Sequence, residues 1–406
     1  MKRLILIAVF AWSSFFASAV SGAEPFEFGD GDRVVLIGNT LIEREQRYGY
    51  WETAITARYP KRNITFRNLG WSGDTVFGDA QAGFGSAADG FKHLVEHVRA
   101  LKPTVLIMGF GGVEAFEGEK GLERFEKGFN TLIDKAALPT THLVFLSPIE
   151  METLGKPLPD LTAQNANVHQ YAKVIREIAK KRRGTYVDLI GSIRYLKRSR
   201  SDKALTDDGL HLSAYGYWFS SLAIEQALSL DPINWLVWAP ETGKIGVSQC
   251  KFERAKGTAL KYDVLDSLLP RSPLPIDSPK GVPEHFNERK MMVTDLGEGD
   301  YSLLIDGKET CKGAGKVWND LGMSLVHGPE FDQVEKLRQT IVEKNRLYFH
   351  RWRPQNETYL FGFRKHEQGQ NAREIPQFDP LIEKLEKEIA KLRVPVAHTY
   401  EIVPAK

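Results

Sequence analysis

The chain has 406 residues, with 54 lysine and arginine residues against 52 aspartate and glutamate residues. Hydrophobic residues make up 42% of the sequence and charged residues 26%, a balance that excludes a disordered, collagen-like or multi-span membrane protein. The formal net charge of +2 also argues against a nucleic-acid partner, because binding to a phosphate backbone needs a concentrated basic excess.

The first 23 residues have the pattern of an export signal. A basic pair precedes an apolar run, and Ser21, Gly22 and Ala23 supply the small residues at which a signal peptidase cuts. We therefore predict a cleaved signal peptide over residues 1–23 and a mature protein in the periplasm or outside the cell, with no integral membrane span. An uncleaved membrane anchor is the alternative, although the run is short for a bilayer span and contains two serines.

Short apolar runs alternate with amphipathic helical patterns from residue 32 to about residue 230, within a predicted domain over residues 24–230. This alternation is typical of a parallel sheet with helices on both faces, so we predict a three-layer α/β domain. The predicted strands, in chain order, are Val34–Ile37, Ile64–Asn68, Thr104–Met108, Leu143–Leu146 and Tyr186–Leu189. The predicted helices are Glu43–Arg58, Phe91–Ala100, Leu122–Ala137 and Val168–Lys181.

The pattern changes beyond residue 230. Proline, glycine and short alternating segments predict a β-rich segment over residues 231–325, in which Lys290–Asp295 and Tyr301–Gly307 are predicted to pair as a hairpin. From residue 326 the pattern turns helical, through Phe331–Tyr348 and a last helix with an apolar face. We expect residues 326–406 to form a helical region that packs on the rest of the protein.

Two cysteines, Cys250 and Cys311, lie in this second half. An exported chain meets an oxidising compartment, so one disulfide is a possible outcome. Two separate buried thiols are an equal alternative, because the sequence gives no distance between the two residues.

Polar residues follow several of the predicted strands, where open α/β sheets place their functional crevice. The Thr40 hydroxyl, after the first strand, can attack an acyl carbon if His211 takes its proton. Asp208 precedes His211 by three residues and can orient its ring, and the backbone N–H groups of Thr40 and Gly73 can hold the developing oxyanion. The alternative for His211 is a surface residue at the start of a helix.

Taken in order, these segments resemble the sequence blocks of the SGNH or GDSL hydrolases, a family of ester hydrolases with a flavodoxin-like fold. The resemblance covers about residues 32 to 230. It implies that Thr40 stands at the position of the serine nucleophile and Gly73 at that of an oxyanion-hole glycine. Asp208 and His211 match the Asp-x-x-His pair that supplies the base and its orienting carboxylate.

Several positions depart from the family pattern. Thr40 replaces the serine, and its methyl group restricts the side chain and crowds the path of attack; the alternative is a threonine that caps the following helix. Val113 replaces an oxyanion-hole asparagine, a loss that typically lowers the rate by about 10²–10³. Asn39 and Glu114 stand where the family has aspartates. Both are candidates for substrate binding, and the alternatives are that Asn39 caps the helix and that Glu114 faces water.

Arg351, Trp352 and Arg353 belong to a cluster of aromatic, arginine and asparagine residues near the C-terminus. Aromatic faces combined with such side chains suit sugar binding, by stacking and hydrogen bonds. The alternative is an amphipathic helix that buries its aromatic residues against the α/β domain. The sequence contains no phosphate-binding loop, dinucleotide fingerprint or spaced set of histidines and cysteines, so we predict no cofactor and no metal.

The sequence therefore predicts an exported SGNH-type hydrolase that removes acyl groups, above all acetyl groups, from a small-molecule or polysaccharide ester. One alternative is a catalytically inactive relative that binds glycans through the crevice and the C-terminal cluster. Another is an interaction module of the cell envelope that acts through its C-terminal half. The sequence does not indicate an oligomeric state.

Overall fold

The computed structural model describes residues 26–200, 202–230, 233–240, 244–256, 260–280, 289–367 and 371–405. The predicted signal peptide, residues 1–23, lies outside the described residues. In the part of the chain that is described, no helix is both long and apolar enough to cross a membrane.

A parallel five-stranded sheet forms the centre of the first domain. Its strands are Arg33–Gly38 (β1), Thr65–Asn68 (β2), Val105–Gly109 (β3), His142–Leu146 (β4) and Thr185–Val187 (β5). They lie in the order β2-β1-β3-β4-β5, and all four pairings are parallel. The predicted α/β fold is confirmed. From β1 to β2 the chain moves toward one edge of the sheet, and from β3 onward it moves toward the other edge. A functional crevice is expected at such a switch point, at the carboxyl ends of β1 and β3.

Helices cover both faces of this sheet. They are Thr40–Tyr48 (α1), Tyr50–Arg58 (α2), Ala87–Leu101 (α3), Leu122–Ala136 (α4), Thr162–Lys181 (α5), Leu189–Arg200 (α6) and Ala214–Ala227 (α7), with 3₁₀ helices at Asp79–Gln81, Glu114–Glu117 and Glu119–Gly121. The predicted helix Glu43–Arg58 is two helices, because Gly49 has a φ of 67° and ends the first.

Alternate residues of each strand point to opposite faces of the sheet, and both faces are buried. Leu36 and Ile107 lie in one hydrophobic core, whereas their neighbours Val35 and Leu106 lie in the other. This double burial explains why the strands are continuous apolar runs in the sequence.

The β-rich part of the chain is a sandwich of two sheets. The first contains Leu236–Pro240 (β6), Gly246–Ser248 (β7), Lys290–Thr294 (β10) and Met323–Ser324 (β13), in the order β13-β10-β6-β7. The second contains Cys250–Arg254 (β8), Lys261–Asp266 (β9), Asp300–Ile305 (β11), Lys308–Ala314 (β12) and Ala397–Pro404 (β14), in the order β12-β11-β14-β9-β8. A short helix, Gly315–Asp320 (α8), follows β12, and both sheets share one core that includes Trp235, Tyr262 and Tyr400.

The structure differs from the predictions made from the sequence at two points in this region. The hairpin predicted from Lys290–Asp295 and Tyr301–Gly307 is wrong, because β10 and β11 lie in different sheets. Instead β11 pairs with β12 through a turn at Asp306 and Gly307, both with positive φ. The region predicted as helical over 326–406 also ends in a strand, β14, which lies between β9 and β11.

The helical region lies between β13 and β14 in the chain. It contains Pro329–Trp352 (α9), Glu357–Leu360 (α10) and Phe378–Leu392 (α11), with a 3₁₀ helix at Asn371–Gln377. Helix α9 packs against α11 on one side and against α1, α2 and β2 of the α/β domain on the other. The contact is polar as well as apolar, because the buried Lys344 donates to both carboxylate oxygens of Glu52, at 2.8 and 3.0 Å.

Cys250 and Cys311 are both free thiols. Cys250 begins β8 and Cys311 lies on β12, at opposite edges of the second sheet. Strands in a sheet are about 4.8 Å apart, so the two cysteines are separated by roughly 19 Å, far beyond the reach of a disulfide. Of the two alternatives left open by the sequence, separate thiols is the one found.

Candidate active site

Thr40 is the first residue of α1, directly beyond the carboxyl end of β1. Asn39 caps this helix, because its Oδ1 accepts the Leu41 N–H at 3.1 Å. The alternative in which Thr40 is the helix cap is therefore wrong, and the Thr40 hydroxyl takes no part in the cap. As the first helical residue, Thr40 also presents one of the backbone N–H groups that have no partner inside the helix.

Two glycines bring this segment close to the loop after β3. A Cβ atom on Gly38 would lie 2.3 Å from the carbonyl oxygen of Gly109, and Gly38 has a φ of 152°. Any side chain at Gly38 would force the strand ends apart. Because both positions are glycine, the Asn39 N–H reaches the Gly109 carbonyl at 3.3 Å.

Asp208 and His211 lie in a turn before α7 and are joined by side-chain and backbone hydrogen bonds. The His211 Nδ1 lies 2.7 Å from Asp208 Oδ2, and Asp208 Oδ1 accepts the backbone N–H groups of His211 at 2.9 Å and Leu210 at 3.0 Å. Partial burial raises the pKa of Asp208, but these hydrogen bonds outweigh it and lower the pKa to about 2. Asp208 is therefore ionised at neutral pH and positioned to hold the ring.

Glu152 anchors the segment that leads into this turn. Its Oε2 accepts the Leu205 and Thr206 N–H groups at 2.8 and 2.9 Å and the Thr206 hydroxyl at 2.7 Å, while its Oε1 lies 2.7 Å from Lys197 Nζ. The Glu152 N–H also donates to the Gly209 carbonyl at 2.8 Å. Sequence reasoning missed this residue, because no local pattern links a carboxylate at position 152 to amides some fifty positions later.

Thr40 and His211 line the same cavity, which has a volume of about 120 Å³. Asn39 and Val113 line it too, so residues from the loops after β1 and β3 and from the segment before α7 are brought together. Much of the remaining wall is apolar, formed by Phe110, Phe116, Pro148, Ile149, Met151 and Leu212. The cavity is thus a small, largely apolar space with a hydroxyl and an imidazole in its wall.

Two further contacts hold α1 against the turn of Asp208 and His211 and the helix α7 that follows it. The Arg44 guanidinium lies 2.9 Å from Asp207 Oδ2, next to Asp208. The Tyr217 hydroxyl, on α7, donates to the Leu41 carbonyl at 2.8 Å. Arg44 and Tyr217 both line the cavity, and sequence analysis did not single out either.

Gly73 lies in the loop after β2 and is not part of the cavity lining. It has a φ of 76°, and a Cβ atom at this position would meet nothing within 4 Å. The loop is tied to its surroundings on both sides of Gly73: the Trp71 N–H donates to the Gly38 carbonyl at 2.9 Å, and the Ser72 N–H donates to Glu43 Oε2. The role predicted for Gly73 as an oxyanion donor stays a prediction.

One interpretation of the sequence expected Glu114 to face water, and the structure contradicts it. Its side chain is buried, with the residue only 2% exposed, and it accepts the Val76 N–H at 3.0 Å and the Gly111 N–H at 2.7 Å. Burial raises the pKa of Glu114 to about 7, against the opposing effect of these hydrogen bonds. The residue lies outside the cavity lining and links the loops after β2 and β3, so the structure gives it a structural contact in place of a substrate contact.

The three residues of the C-terminal cluster separate into two environments. Arg351 and Trp352 line a second cavity of about 570 Å³, between α3 and the helices α9 and α11. Arg351 is paired there with Asp379, at 2.8 and 3.2 Å. Arg353 instead lies over the ring of Trp71, 3.4 Å from its centroid, and 3.5 Å from Glu43 Oε2. It therefore contacts the loop that carries Gly73.

No group of three or more His, Cys, Asp or Glu side chains is arranged to hold a metal ion within the described ranges.

Comparison with known proteins places the first domain in a family. The family model of the GDSL-like lipases and acylhydrolases matches residues 29–219. No curated protein sequence matches the chain.

Solved structures of similar fold include one that matches along almost the whole chain. It is BT4096, described as a gut microbial diltiazem-metabolizing enzyme, with 16% identity and a TM-score of 0.74 over 95% of this chain and 100% of that one. At this identity the similarity concerns the fold alone, but it includes the sandwich and the helical region.

Two shorter structures match about half of the chain. A catalytic mutant of Axe2, an acetylxylan esterase from Geobacillus stearothermophilus, is 18% identical over 51% of this chain and 98% of that one, with a TM-score of 0.40. LAE5, an alpha/beta hydrolase from the metagenome of Lake Arreo, Spain, is 22% identical over 50% and 97%, with a TM-score of 0.40. With its parallel sheet, its matching blocks and the family model, the segment 29–219 of this chain is a domain of the GDSL-like lipase and acylhydrolase family.

Proposed function

We propose that this protein is an ester hydrolase in which Thr40 is the nucleophile, His211 the general base and Asp208 the residue that orients the base. The observation that carries the proposal is that Thr40 and His211 line one cavity while Asp208 holds the Nδ1 side of the His211 ring at 2.7 Å. This leaves Nε2 as the ring nitrogen that exchanges a proton with Thr40 and with the substrate.

The reaction follows in two steps. In the first, His211 Nε2 removes the Thr40 proton as Oγ1 attacks the acyl carbon, and the same proton passes to the alcohol oxygen when the ester bond breaks. In the second, a water molecule loses a proton to His211 and attacks the acyl-threonine, which releases the carboxylic acid and returns the proton to Thr40. The ionised Asp208 stabilises the imidazolium formed in both steps. The N–H groups of Thr40 and Gly73 are the proposed backbone donors to the oxyanion.

For the substrate, we propose an acetyl or similarly small acyl group on a carbohydrate. The small apolar cavity beside Thr40 supports a short acyl chain. The second cavity supports a sugar, because the half-buried Trp352 contributes an aromatic ring to its wall and the guanidinium of Arg351 is already neutralised by Asp379. The predicted signal peptide supports action in the periplasm or outside the cell.

The alternative function is glycan binding without catalysis. It is favoured by two observations, the replacement of the family serine and asparagine by Thr40 and Val113, and the larger cavity lined by Arg351 and Trp352. The two functions are distinguishable, because only the hydrolase needs the Thr40 hydroxyl.

The test is acetate release from acetylated xylan and from p-nitrophenyl acetate by the purified protein, compared with Thr40→Ala and His211→Ala. We expect both substitutions to abolish hydrolysis. His169→Ala is the matched control, since His169 also pairs with a carboxylate, Glu150 at 2.9 Å, but lies outside the cavity. Hydrolysis that survives both cavity substitutions would refute the mechanism, whereas no hydrolysis together with binding to the polysaccharide would favour the alternative.

A further inference from the structure

The cavity beside Thr40 has a wall position without a side-chain hydrogen-bond donor, Val113, where the resemblance to the SGNH hydrolases implies an asparagine. Removing an oxyanion donor typically lowers the rate by about 10²–10³. Beside the two proposed backbone donors, Thr40 and Gly73, a hydrolase with valine here gains a third donor only from another group. That donor has to lie close to both the nucleophile and the loop after β3.

Most polar side chains that line the cavity are already engaged. Arg44 is paired with Asp207 through Nη2 and its Nε is buried, and the Tyr217 hydroxyl donates to a backbone carbonyl. His211 is held by Asp208 and has the role of base. Among the described lining residues, this leaves the side-chain amide of Asn39, directly before Thr40.

The geometry of Asn39 fixes which way this amide points. Its Oδ1 accepts the Leu41 N–H at 3.1 Å, so its Nδ2 is turned away from the helix. A Cβ atom on Gly112 would lie 3.5 Å from this nitrogen, which places Nδ2 beside the residue that precedes Val113. Asn39 as a residue is only 7% exposed, and it lines the cavity, where a bound acyl oxygen would be an acceptor for this amide. Capping alone gives no reason for the amide, because aspartate and asparagine are about equally good N-caps.

We propose that the Asn39 side-chain amide donates a hydrogen bond to the oxyanion and so replaces the donor that Val113 lacks. This inference rests on the proposed hydrolase function. Asn39 then has two roles, since its oxygen caps α1 and its nitrogen stabilises the negative charge that develops on the acyl oxygen when Thr40 attacks. The charge is greatest in the tetrahedral intermediate, so the bond strengthens in the transition state and not in the bound substrate.

The test uses two substitutions that keep the cap and remove the amide. Asn39→Asp retains the shape of the side chain, and Asn39→Ser retains its neutrality; both residues are good N-caps. We expect kcat for p-nitrophenyl acetate to fall by about 10²–10³ in both variants with KM nearly unchanged, because only the transition state loses a contact. The urea midpoint of both variants should match that of the parent protein. Val113→Asn, added to Asn39→Ser, should restore part of the lost kcat.

The outcomes separate the possible roles of Asn39. If Asn39→Ser keeps the kcat of the parent, the inference is overturned, and a loss confined to Asn39→Asp then comes from the added charge. A fall in kcat that is matched by a lower urea midpoint would also overturn it, by assigning the effect to the cap. If the parent protein hydrolyses no ester, the proposed function fails and this inference fails with it. That result is distinguished from the others by the rate of the parent alone.

Discussion

Replacing Glu152 by alanine should loosen the turn that carries Asp208 and His211. The substitution removes the acceptor of three hydrogen bonds, from two backbone N–H groups and the Thr206 hydroxyl, and the partner of Lys197. A hydrogen bond to a charged group contributes about 1.5–3 kcal/mol. The Glu152 side chain is 17% exposed, so water can replace part of the loss. With values at the lower end, we expect a loss of about 3–5 kcal/mol in the free energy of unfolding.

The assay combines urea unfolding with hydrogen exchange measured by mass spectrometry on peptides that cover residues 203–213. In Glu152→Ala, the amides of Leu205 and Thr206 should exchange faster, and kcat should fall because His211 is no longer held in place. Glu150→Ala is the matched control, since Glu150 pairs with His169 and Arg194 at the surface, and such pairs contribute about 0–1 kcal/mol. If the two variants are equally stable and exchange at the same rate over this peptide, the reasoning is wrong.

The effect of Glu152 also depends on pH in a direction that can be worked out. Burial raises the pKa of Glu152, but the hydrogen bonds from Lys197 and Thr206 outweigh it, and the folded pKa lies below the ordinary value of 4.5. A carboxylate with a lowered pKa stabilises the fold above its unfolded pKa, and the contribution is lost as the pH falls through the folded pKa. The difference in stability between the parent and Glu152→Ala should therefore be constant above about pH 5 and narrow in acid.

Three further substitutions test other parts of the structure. Thr40→Ser should raise kcat for p-nitrophenyl acetate by about fivefold, because it removes about 1 kcal/mol of crowding at the nucleophile; a slower enzyme would show that the methyl group helps to position the hydroxyl. Lys344→Met should lower the free energy of unfolding in urea by about 3–5 kcal/mol, since the buried Glu52 carboxylate loses its cation and keeps the Asn345 amide as a donor, and adding Glu52→Leu should recover part of the loss; equal stability of the single variant and the parent would contradict a buried ion pair. Glu114 has a folded pKa of about 7 against 4.5, so its contribution to stability should fall by up to about 3 kcal/mol as the pH rises from 4.5 to 7. Glu114→Gln should lack that fall when urea midpoints at pH 5 and pH 8 are compared, and an unchanged pH dependence would place the carboxyl in water.

The α/β domain was predictable because its signals are local. Each strand of the parallel sheet is buried on both faces, so each is a short apolar run, and the rule that functional loops follow the strands made Thr40 a candidate, which lines one cavity with His211. The sandwich was harder to predict. Lys290–Thr294 and Asp300–Ile305 both alternate in the way of half-buried strands, and nothing local shows that they belong to different sheets. The better signal for a hairpin was the Asp-Gly pair at 306 and 307.

Two carboxylates near the site, the buried Glu114 and the half-buried Glu152, have contacts that the sequence did not predict. Glu114 begins a 3₁₀ helix and Glu152 lies in a loop, and a carboxylate is expected at the surface by default. Each is instead an acceptor for backbone N–H groups that come from another loop. The position of Arg353 was unpredictable for a similar reason, because its partner ring, Trp71, belongs to a loop more than half the chain away. Such contacts follow from the three-dimensional path of the chain and leave no periodic trace in the sequence.

The position of β14 sets an order on how the chain can assemble. This strand comes last along the sandwich, yet it lies in the middle of the second sheet and pairs with both β9 and β11. While the ribosome still holds residues 397–404, these two strands each present an open edge, the kind of edge at which chains aggregate. The helices α9 and α11 are therefore synthesised before the second sheet is complete, because four of its strands precede these helices in the chain and β14 follows them. A chain cut before Ala397 would keep the whole cavity beside Thr40 but lose the centre of the sandwich, so its solubility should fail even though no residue of the candidate site is missing.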